Sequence, residues 1–151
     1  MTSIAPIVEG RGEEAALRCL IRRLTELIDP TRYVNVEKPF KQDSGKLLKS
    51  GGVENAVNAT ASRWPGSHIL ILLDCDDGCA KAIGPTLCQR ARAARPDVSV
   101  SVVLPVKEFE CWLIAGAGAL GGRRGLKPAF TPPADPESIR DAKRWLRENM
   151  S

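Results

Sequence analysis

The sequence is poor in the side chains that usually carry soft-metal or histidine chemistry. His68 is its only histidine, and none of the five cysteines forms a Cys-x-x-Cys pair or has a histidine nearby. This scarcity argues against a zinc site and against a disulfide framework, because both need partners at characteristic spacings. We expect the cysteines to be reduced packing residues and His68 to lie at the start of a strand.

Long apolar runs and secretion signals are missing as well. No run is long enough to cross a bilayer, and Met1-Thr2-Ser3 lacks the basic, apolar and small-residue order of a secretory signal. With only three Trp, three Phe and one Tyr, no aromatic ladder for single-stranded nucleic acid is visible. We therefore expect a soluble, cytoplasmic protein without a membrane partner.

The hydrophobic pattern that is present alternates between strand and helix. Short apolar or β-branched runs predict strands at residues 3–8, 33–37, 68–73 and 98–106. Helical spacing predicts helices at residues 13–28, 46–62, 80–94, 109–115 and 136–149, with a break at Gly51-Gly52 and a regular start near Pro85. This order predicts one α/β domain over residues 1–151, with an open, mainly parallel sheet of about four strands and helices on both faces.

Acidic residues follow three of the predicted strands. These acids are Glu9 and Glu13, then Asp74, Asp76 and Asp77, then Glu108 and Glu110. The carboxyl ends of parallel strands share one edge of a sheet, so the acids are expected to converge there. Converging carboxylates repel one another unless a hard divalent cation such as Mg²⁺ or Mn²⁺ neutralises them, and such a cation also attracts phosphates. The pattern predicts a metal-dependent phosphoryl-transfer centre.

The second signature carries the strongest candidates. Asp74 and Asp76 follow the most continuous Ile/Leu run, and in an extended chain they share one side while Asp77 lies on the other. Asp77 before Gly78 fits either a metal ligand or the cap of a turn, and both interpretations stay open. Glu9 and Glu13 have a plain alternative too, as a turn residue and as an acid that complements a helix dipole.

The third signature separates its two acids. Glu110 stands beside Phe109 and Trp112, where a carboxylate without a partner would be expensive, so we predict that Glu110 is the metal ligand. Glu108 is expected to be solvated.

Basic residues outnumber acids, which gives a formal net charge of +4, although the strand ends are acidic. A basic surface around an acidic pocket suits a polyanion held over a metal. The candidate phosphate contacts are Lys46, Arg123, Arg124 and Lys143, of which the two arginines lie in a Gly-rich connection. Lone lysines and Gly-rich connections are more often solvated and merely flexible, and this alternative stays open.

These signatures together resemble a known family. The series Ile7-Val8-Glu9-Gly10-x-x-Glu13 and Leu72-Leu73-Asp74-Cys75-Asp76-Asp77 is similar to the two motifs of Toprim domains, the metal-binding fold of topoisomerases, bacterial primases and nucleases of the overcoming-lysogenization-defect type. When the third acidic signature, residues 106–113, is included, the chain most resembles the family of unknown function DUF4276. This family is Toprim-like and is often associated with ATPases in prokaryotic defence loci. The family usually continues past the helix that contains Lys143, whereas this chain ends at Ser151. The resemblance thus predicts that the usual C-terminal part is missing.

The resulting expectation is hydrolysis of phosphodiester bonds in DNA or RNA by one or two Mg²⁺ ions. Asp74 and Asp76 would anchor the principal ion, Glu9 would share it or act as general base, and Glu13 and Glu110 would complete a second position. Two alternatives remain: a Toprim-like effector or regulatory subunit that is inactive without an ATPase, and a non-catalytic nucleic-acid-binding module. The sequence does not decide whether the substrate is DNA or RNA, how many ions bind, or whether the protein forms a homo-oligomer.

Overall fold

The structure, a computed structural model, describes residues 2–151. The chain divides into two compact units. The first unit extends to Leu73 and resumes from Lys81 to Leu104, and the second contains Asp74–Ala80 and Pro105–Ser151. Whether the chain is a single domain stays a prediction, because compactness alone does not show that a unit folds by itself.

The first unit is built on a parallel sheet of five strands. In chain order these are β1 (Thr2–Val8), β2 (Val34–Val36), β3 (Phe40–Lys41), β4 (His68–Leu72) and β5 (Val100–Val103). The sheet order is β2-β1-β4-β5, β3 also pairs with β1, and every pair is parallel. The predicted α/β class and mainly parallel, open sheet are confirmed. The extra strand is β3, which is too short to leave a periodic signal.

Four helices belong to this part of the chain: α1 (Arg11–Ile28), α2 (Ser44–Leu48), α3 (Gly52–Arg63) and α4 (Ala80–Ala94). The predicted break falls between α2 and α3, where Gly51 has φ of 76°, a conformation that glycine adopts without strain. One predicted start was wrong, because helix α1 begins at Arg11 instead of Glu13. The predicted bounds of α4, residues 80–94, are confirmed, although its regular part does not begin at Pro85, which lies inside the helix.

The core of the first unit lies between the sheet and the helices α2, α3 and α4. Ile7 of β1 and Ile69 and Ile71 of β4 are fully buried, and they pack in one cluster with Val57 of α3 and Leu87 of α4. The alternation of side chains along a strand places Ile69 and Ile71 on the same face. Burying such residues stabilises the fold by about 1.5–3 kcal/mol per side chain.

The second unit contains α5 (Phe109–Gly116), two 3₁₀ turns (Gly118–Leu120 and Pro136–Ser138) and α6 (Ala142–Glu148). The predicted helix at residues 136–149 is therefore interrupted. Its apolar positions nevertheless pack as one face: Ala142, Trp145 and Leu146 form a cluster with Cys111 and Ile114 of α5. None of the helices among residues 2–151 is both long and apolar enough to cross a membrane.

Arg90 of α4 joins three helices of the first unit. Its guanidinium donates to both oxygens of Glu54 on α3, at 2.7 and 2.8 Å, and to the carbonyl oxygens of Leu48 and Lys49 at the end of α2, at 3.0 and 2.6 Å. These bonds satisfy helix-terminal carbonyls that have no partner within α2. The hydrogen bond from Arg90 also lowers the pKa of Glu54 below its ordinary value of 4.5.

We predict that Arg90→Lys lowers the free energy of unfolding by about 1–3 kcal/mol, because an ammonium cannot reproduce the bidentate contact and reach two carbonyls as well. The matched control is Arg95→Lys, which alters a bidentate pair with Asp97 only two residues away on the surface. That change should stay within about 0.5 kcal/mol. Urea unfolding at neutral pH measures both.

The pH dependence gives an independent check. The pKa of Glu54 is depressed in the folded state, so its contribution is present above the ordinary carboxyl pKa of 4.5 and is lost as the pH falls through the lower folded value. The difference between wild type and Arg90→Lys should shrink in that acidic range. An equal loss for Arg90→Lys and Arg95→Lys would contradict the bridging role of Arg90.

Candidate metal-binding site

The carboxyl edge of the first unit is defined by the ends of β1 and β4. Val8 pairs with Leu72, so the two strands end side by side, and Glu9 is the next residue after β1. The half-buried carboxylate of Glu9 accepts hydrogen bonds from the Ser44 hydroxyl at 2.7 Å and from the Ser44 backbone N–H at 3.4 Å. Ser44 begins α2, so the start of this helix fixes the position of the Glu9 carboxylate.

Glu13 is a mostly buried acidic residue without a cationic partner among residues 2–151. It lies in the first turn of α1 with only 9% of its surface exposed, and its carboxylate oxygens still reach solvent. The helix N-terminus attracts negative charge there, an effect that contributes about 0.3–1 kcal/mol.

Gly10 makes the position of Glu13 sterically accessible. A Cβ atom added at Gly10 would lie 2.8 Å from Oε2 of Glu13, closer than real Cβ contacts allow. The glycine thus leaves space into which the carboxylate folds. A glycine three residues before a helix-start acid is the sequence signal for this relation.

The neighbouring Glu14 shows the ordinary alternative. Its carboxylate lies 3.0 Å from Nζ of Lys41 on β3, and the hydrogen bond from Lys41 lowers the pKa of Glu14. The two consecutive acids therefore differ in their surroundings. Glu14 has a cationic partner at the surface, whereas Glu13 is buried without one.

In the second unit, Asp74 connects a turn to a helix. Its Oδ1 accepts a hydrogen bond of 2.8 Å from the backbone N–H of Phe109, the first residue of α5. The backbone N–H groups of Cys75 and Asp76 donate to the carbonyl oxygen of Lys107 at 3.1 Å. Asp74 thus has a capping role that the sequence did not indicate, since its partner is 35 residues away.

Asp76 lies in a turn and not in an extended chain. Its φ of 46° is in the left-handed region, and the Gly78 N–H donates to the Cys75 carbonyl oxygen at 2.7 Å. The argument that Asp74 and Asp76 share a side through strand alternation was therefore wrong. Asp76 is exposed, and aspartate adopts this left-handed conformation at a lower cost in free energy than most residues do.

Asp77 has cationic neighbours. Its carboxylate lies 3.6 Å from Lys107 and 3.9 Å from Arg140, and its side chain is 85% exposed. Exposed ion pairs of this kind contribute about 0–1 kcal/mol, so they fix Asp77 only weakly. Its assignment as a metal ligand stays a prediction.

Glu108 has a structural role at the start of α6. The carboxylate of Glu108 accepts from the backbone N–H of Ala142 at 3.0 Å and of Lys143 at 3.4 Å. The expectation that Glu108 is solvated was wrong. The N-cap of this helix is Asp141, whose carboxylate accepts from the Arg144 N–H at 3.1 Å, so both acids mark its start at Ala142. Glu110 is half-buried in the first turn of α5, and its role as a metal ligand remains a prediction.

The basic candidates are all exposed. Lys46 lies on α2, Lys143 on α6, and Arg123 and Arg124 in the turn that follows the first 3₁₀ segment. That turn is held by backbone hydrogen bonds, including Arg123 N–H to the Leu120 carbonyl oxygen at 2.8 Å. The Gly-rich connection is therefore a hydrogen-bonded structure. Contacts between these side chains and phosphate remain predictions.

The donor chemistry of the carboxyl edge suits a hard cation. Among residues 2–151, no group of three or more His, Cys, Asp or Glu side chains is arranged to hold a metal ion. Mg²⁺ does not require such a group, because it keeps several waters and is usually bound by one or two carboxylates together with substrate phosphates. The candidate for such a carboxylate in the first unit is Glu13, and its role as a metal ligand stays a prediction.

The class of protein follows from the fold and from the residues after the strands. It is an α/β protein with an open parallel sheet, and acidic residues follow the ends of its strands in the sequence. The sequence model described as "Domain of unknown function (DUF4276)" matches residues 8–148, and the chain belongs to that family. Neither the search of curated proteins nor the search of solved structures found a match.

We predict that Mg²⁺ or Mn²⁺ raises the melting temperature of the wild-type protein and that Glu13→Gln abolishes the rise. A ligand that binds only the native state stabilises it, and the amide is a poor substitute for a carboxylate ligand. Without metal, Glu13→Gln should raise the melting temperature by a few degrees, because a buried unpaired charge is removed. Differential scanning fluorimetry with and without the cation measures both effects.

The matched control is Glu14→Gln, which changes the adjacent acid in the same helical turn. It should change stability only slightly, because the lost Lys41 pair is at the surface, and it should leave the response to Mg²⁺ intact. A Glu13→Gln protein that keeps the full response would contradict the assignment of Glu13.

Proposed function

We propose that this protein is a Toprim-like, Mg²⁺-dependent phosphodiesterase that hydrolyses nucleic acid. The observation that supports the proposal is the position of Glu13, a residue only 9% exposed that has no cationic partner among residues 2–151 and lies in the first turn of the helix after β1. A divalent cation would supply the missing positive charge. Ligands bind at the carboxyl ends of strands in open α/β sheets, which agrees with this position.

The acids take different roles in this proposal. Glu9 and Glu13 would hold a cation at the end of β1 in the first unit. In the second unit, Asp74 and Asp76 are proposed as ligands from the order of the acidic signatures alone. When bound, the ion supplies an acidified water and charge stabilisation for the leaving oxygen. The Ser44 hydroxyl, which donates to Glu9 at 2.7 Å, keeps the Glu9 carboxylate in place to accept a proton from water.

The capping bonds of the second unit separate acids that maintain the fold from acids that are available for chemistry. Asp74 and Glu108 each accept a hydrogen bond from the start of a helix. Asp76 is exposed on a turn, so its side chain is the better one to change without disturbing the fold. The supporting charges for a polyanion are the exposed Lys46, Arg123, Arg124 and Lys143.

The wider setting belongs to the same proposal. The Toprim resemblance supports a cytoplasmic enzyme of a prokaryotic defence system that works beside an ATPase. In that setting the protein is active either alone or only in the complex. An assay with a neighbouring ATPase therefore accompanies the assay of the isolated protein.

We predict that the protein cleaves DNA or RNA with Mg²⁺ or Mn²⁺ and that Asp76→Asn lowers the rate at least about 100-fold, because a ligand of the ion is lost. The control is Glu148→Gln, which neutralises another exposed acid of the second unit and breaks only a surface pair with Arg144 at 2.9 Å. Its rate should equal that of wild type. Labelled single-stranded and duplex DNA and RNA, each with and without the ATPase, provide the substrates.

Two outcomes would contradict the proposal. If the Asp76→Asn protein cleaves at the wild-type rate, the cleavage comes from a contaminating enzyme or from a different site of this protein. A wild-type protein that binds Mn²⁺ but cleaves no substrate in either condition would favour a regulatory subunit.

A further inference from the structure

An open groove lies along the edge of the sheet in the first unit. A cavity of about 840 Å³ is bounded on one side by α1 and on the other by residues 30–38, which contain β2. In the described sheet β2 pairs with β1 alone, so its other edge carries no strand. Trp64, which follows α3, also lines the cavity.

The walls of this groove are cationic. Arg18 and Arg22 line it from α1, and Arg32 and Lys38 line it from the β2 side, against the two acids Glu26 and Glu37. The pairs Arg22–Glu26, at 3.7 Å, and Arg32–Asp29, at 3.6 Å, are solvent-exposed. Such pairs are weak and are readily exchanged for contacts with a polyanion.

Helical spacing directs the α1 cations to one side. Arg18 and Arg22 are four residues apart, so they lie on the same helix face about 6 Å apart along the axis. Arg23 follows Arg22 directly, is rotated by about 100° and does not line the cavity. The two adjacent arginines thus form a natural comparison.

Aromatic rings complete the groove. Tyr33, 67% exposed, and the half-buried Trp64 both line it. The guanidinium of Arg63 lies 5.3 Å from the centre of the Trp64 ring. Exposed aromatic side chains beside a cationic groove offer surfaces on which unpaired bases stack, whereas the bases of a duplex are already stacked on each other.

We propose that the groove between α1 and β2 binds single-stranded nucleic acid, with phosphates at the arginines and a base on Tyr33. This inference rests on the proposed function and names its substrate class. An acidic peptide added to the β2 edge is the competing occupant. It is disfavoured because Arg18 already donates to the Val36 carbonyl oxygen at 3.2 Å, which occupies an acceptor on β2 that an added strand would use.

The test is fluorescence anisotropy of a labelled oligothymidylate in EDTA over a range of salt concentrations, so that hydrolysis plays no part. Arg22→Gln should weaken binding and reduce the magnitude of the salt slope by about 0.7, the value for one lost phosphate contact. Arg23→Gln, the matched control, should leave the slope unchanged. Tyr33→Ala should weaken binding at least about fivefold, whereas Tyr33→Phe keeps the ring and should bind like wild type. A duplex of the same length should bind more weakly and be insensitive to Tyr33→Ala.

Several results would overturn the groove assignment. Equal effects of Arg22→Gln and Arg23→Gln would indicate net charge alone, and wild-type affinity of Tyr33→Ala would exclude stacking. If Arg22→Gln weakened binding of an oligoglutamate peptide but not of oligothymidylate, the groove would be a peptide site. If the groove variants bind oligothymidylate like wild type while the protein still cleaves with Mg²⁺, the groove inference is refuted and the hydrolysis proposal is not. If the groove variants weaken binding as expected but the wild-type protein cleaves no substrate, the hydrolysis proposal is refuted and the groove inference is not.

Discussion

Five residue pairs join β1 to β4 in parallel, from Ile4–His68 to Val8–Leu72, and most of the first unit depends on them. The pairing buries Ile7 and Ile71 as neighbours, which gives α3 and α4 a common apolar surface. It also ends both strands at the same level. The residue after β1 is a carboxylate, and the helix that follows places a second carboxylate against Gly10, so the chemistry of this edge follows from the register.

The parts of the fold that were predictable from sequence are those with a local cause. The continuous Ile/Leu run of β4 and the apolar spacing of α1 gave strong periodic signals, and Gly51-Gly52 marked a real break. The two-residue strand β3 gave no signal, since its pairing with β1 is a tertiary event. The break before α6 has a local cause in its N-cap Asp141, which has φ of 55° and accepts from the Arg144 N–H, and a tertiary cause in Glu108, which is 34 residues from Ala142.

Residue types predicted that the acids converge, but they did not separate the roles of these acids, and residues 2–151 contain no group of three or more of them arranged to hold a metal ion. Asp74 and Glu108 accept hydrogen bonds from helix starts, which no spacing rule indicates over such separations. Burial distinguishes Glu13 from Glu14, although the two are adjacent and chemically identical. The groove was missed for a similar reason, because Tyr33 and Trp64 are 31 positions apart and do not form a ladder in sequence.

The central proposal is that a divalent cation binds the carboxylate of Glu13. Anomalous diffraction from a crystal soaked in Mn²⁺ tests it most directly, since the ion is located without reference to activity. The account predicts an anomalous peak about 2.1 Å from a carboxylate oxygen of Glu13. A well-ordered Glu13 whose carboxylate is hydrogen-bonded to water or protein, with no peak beside it, would contradict the account.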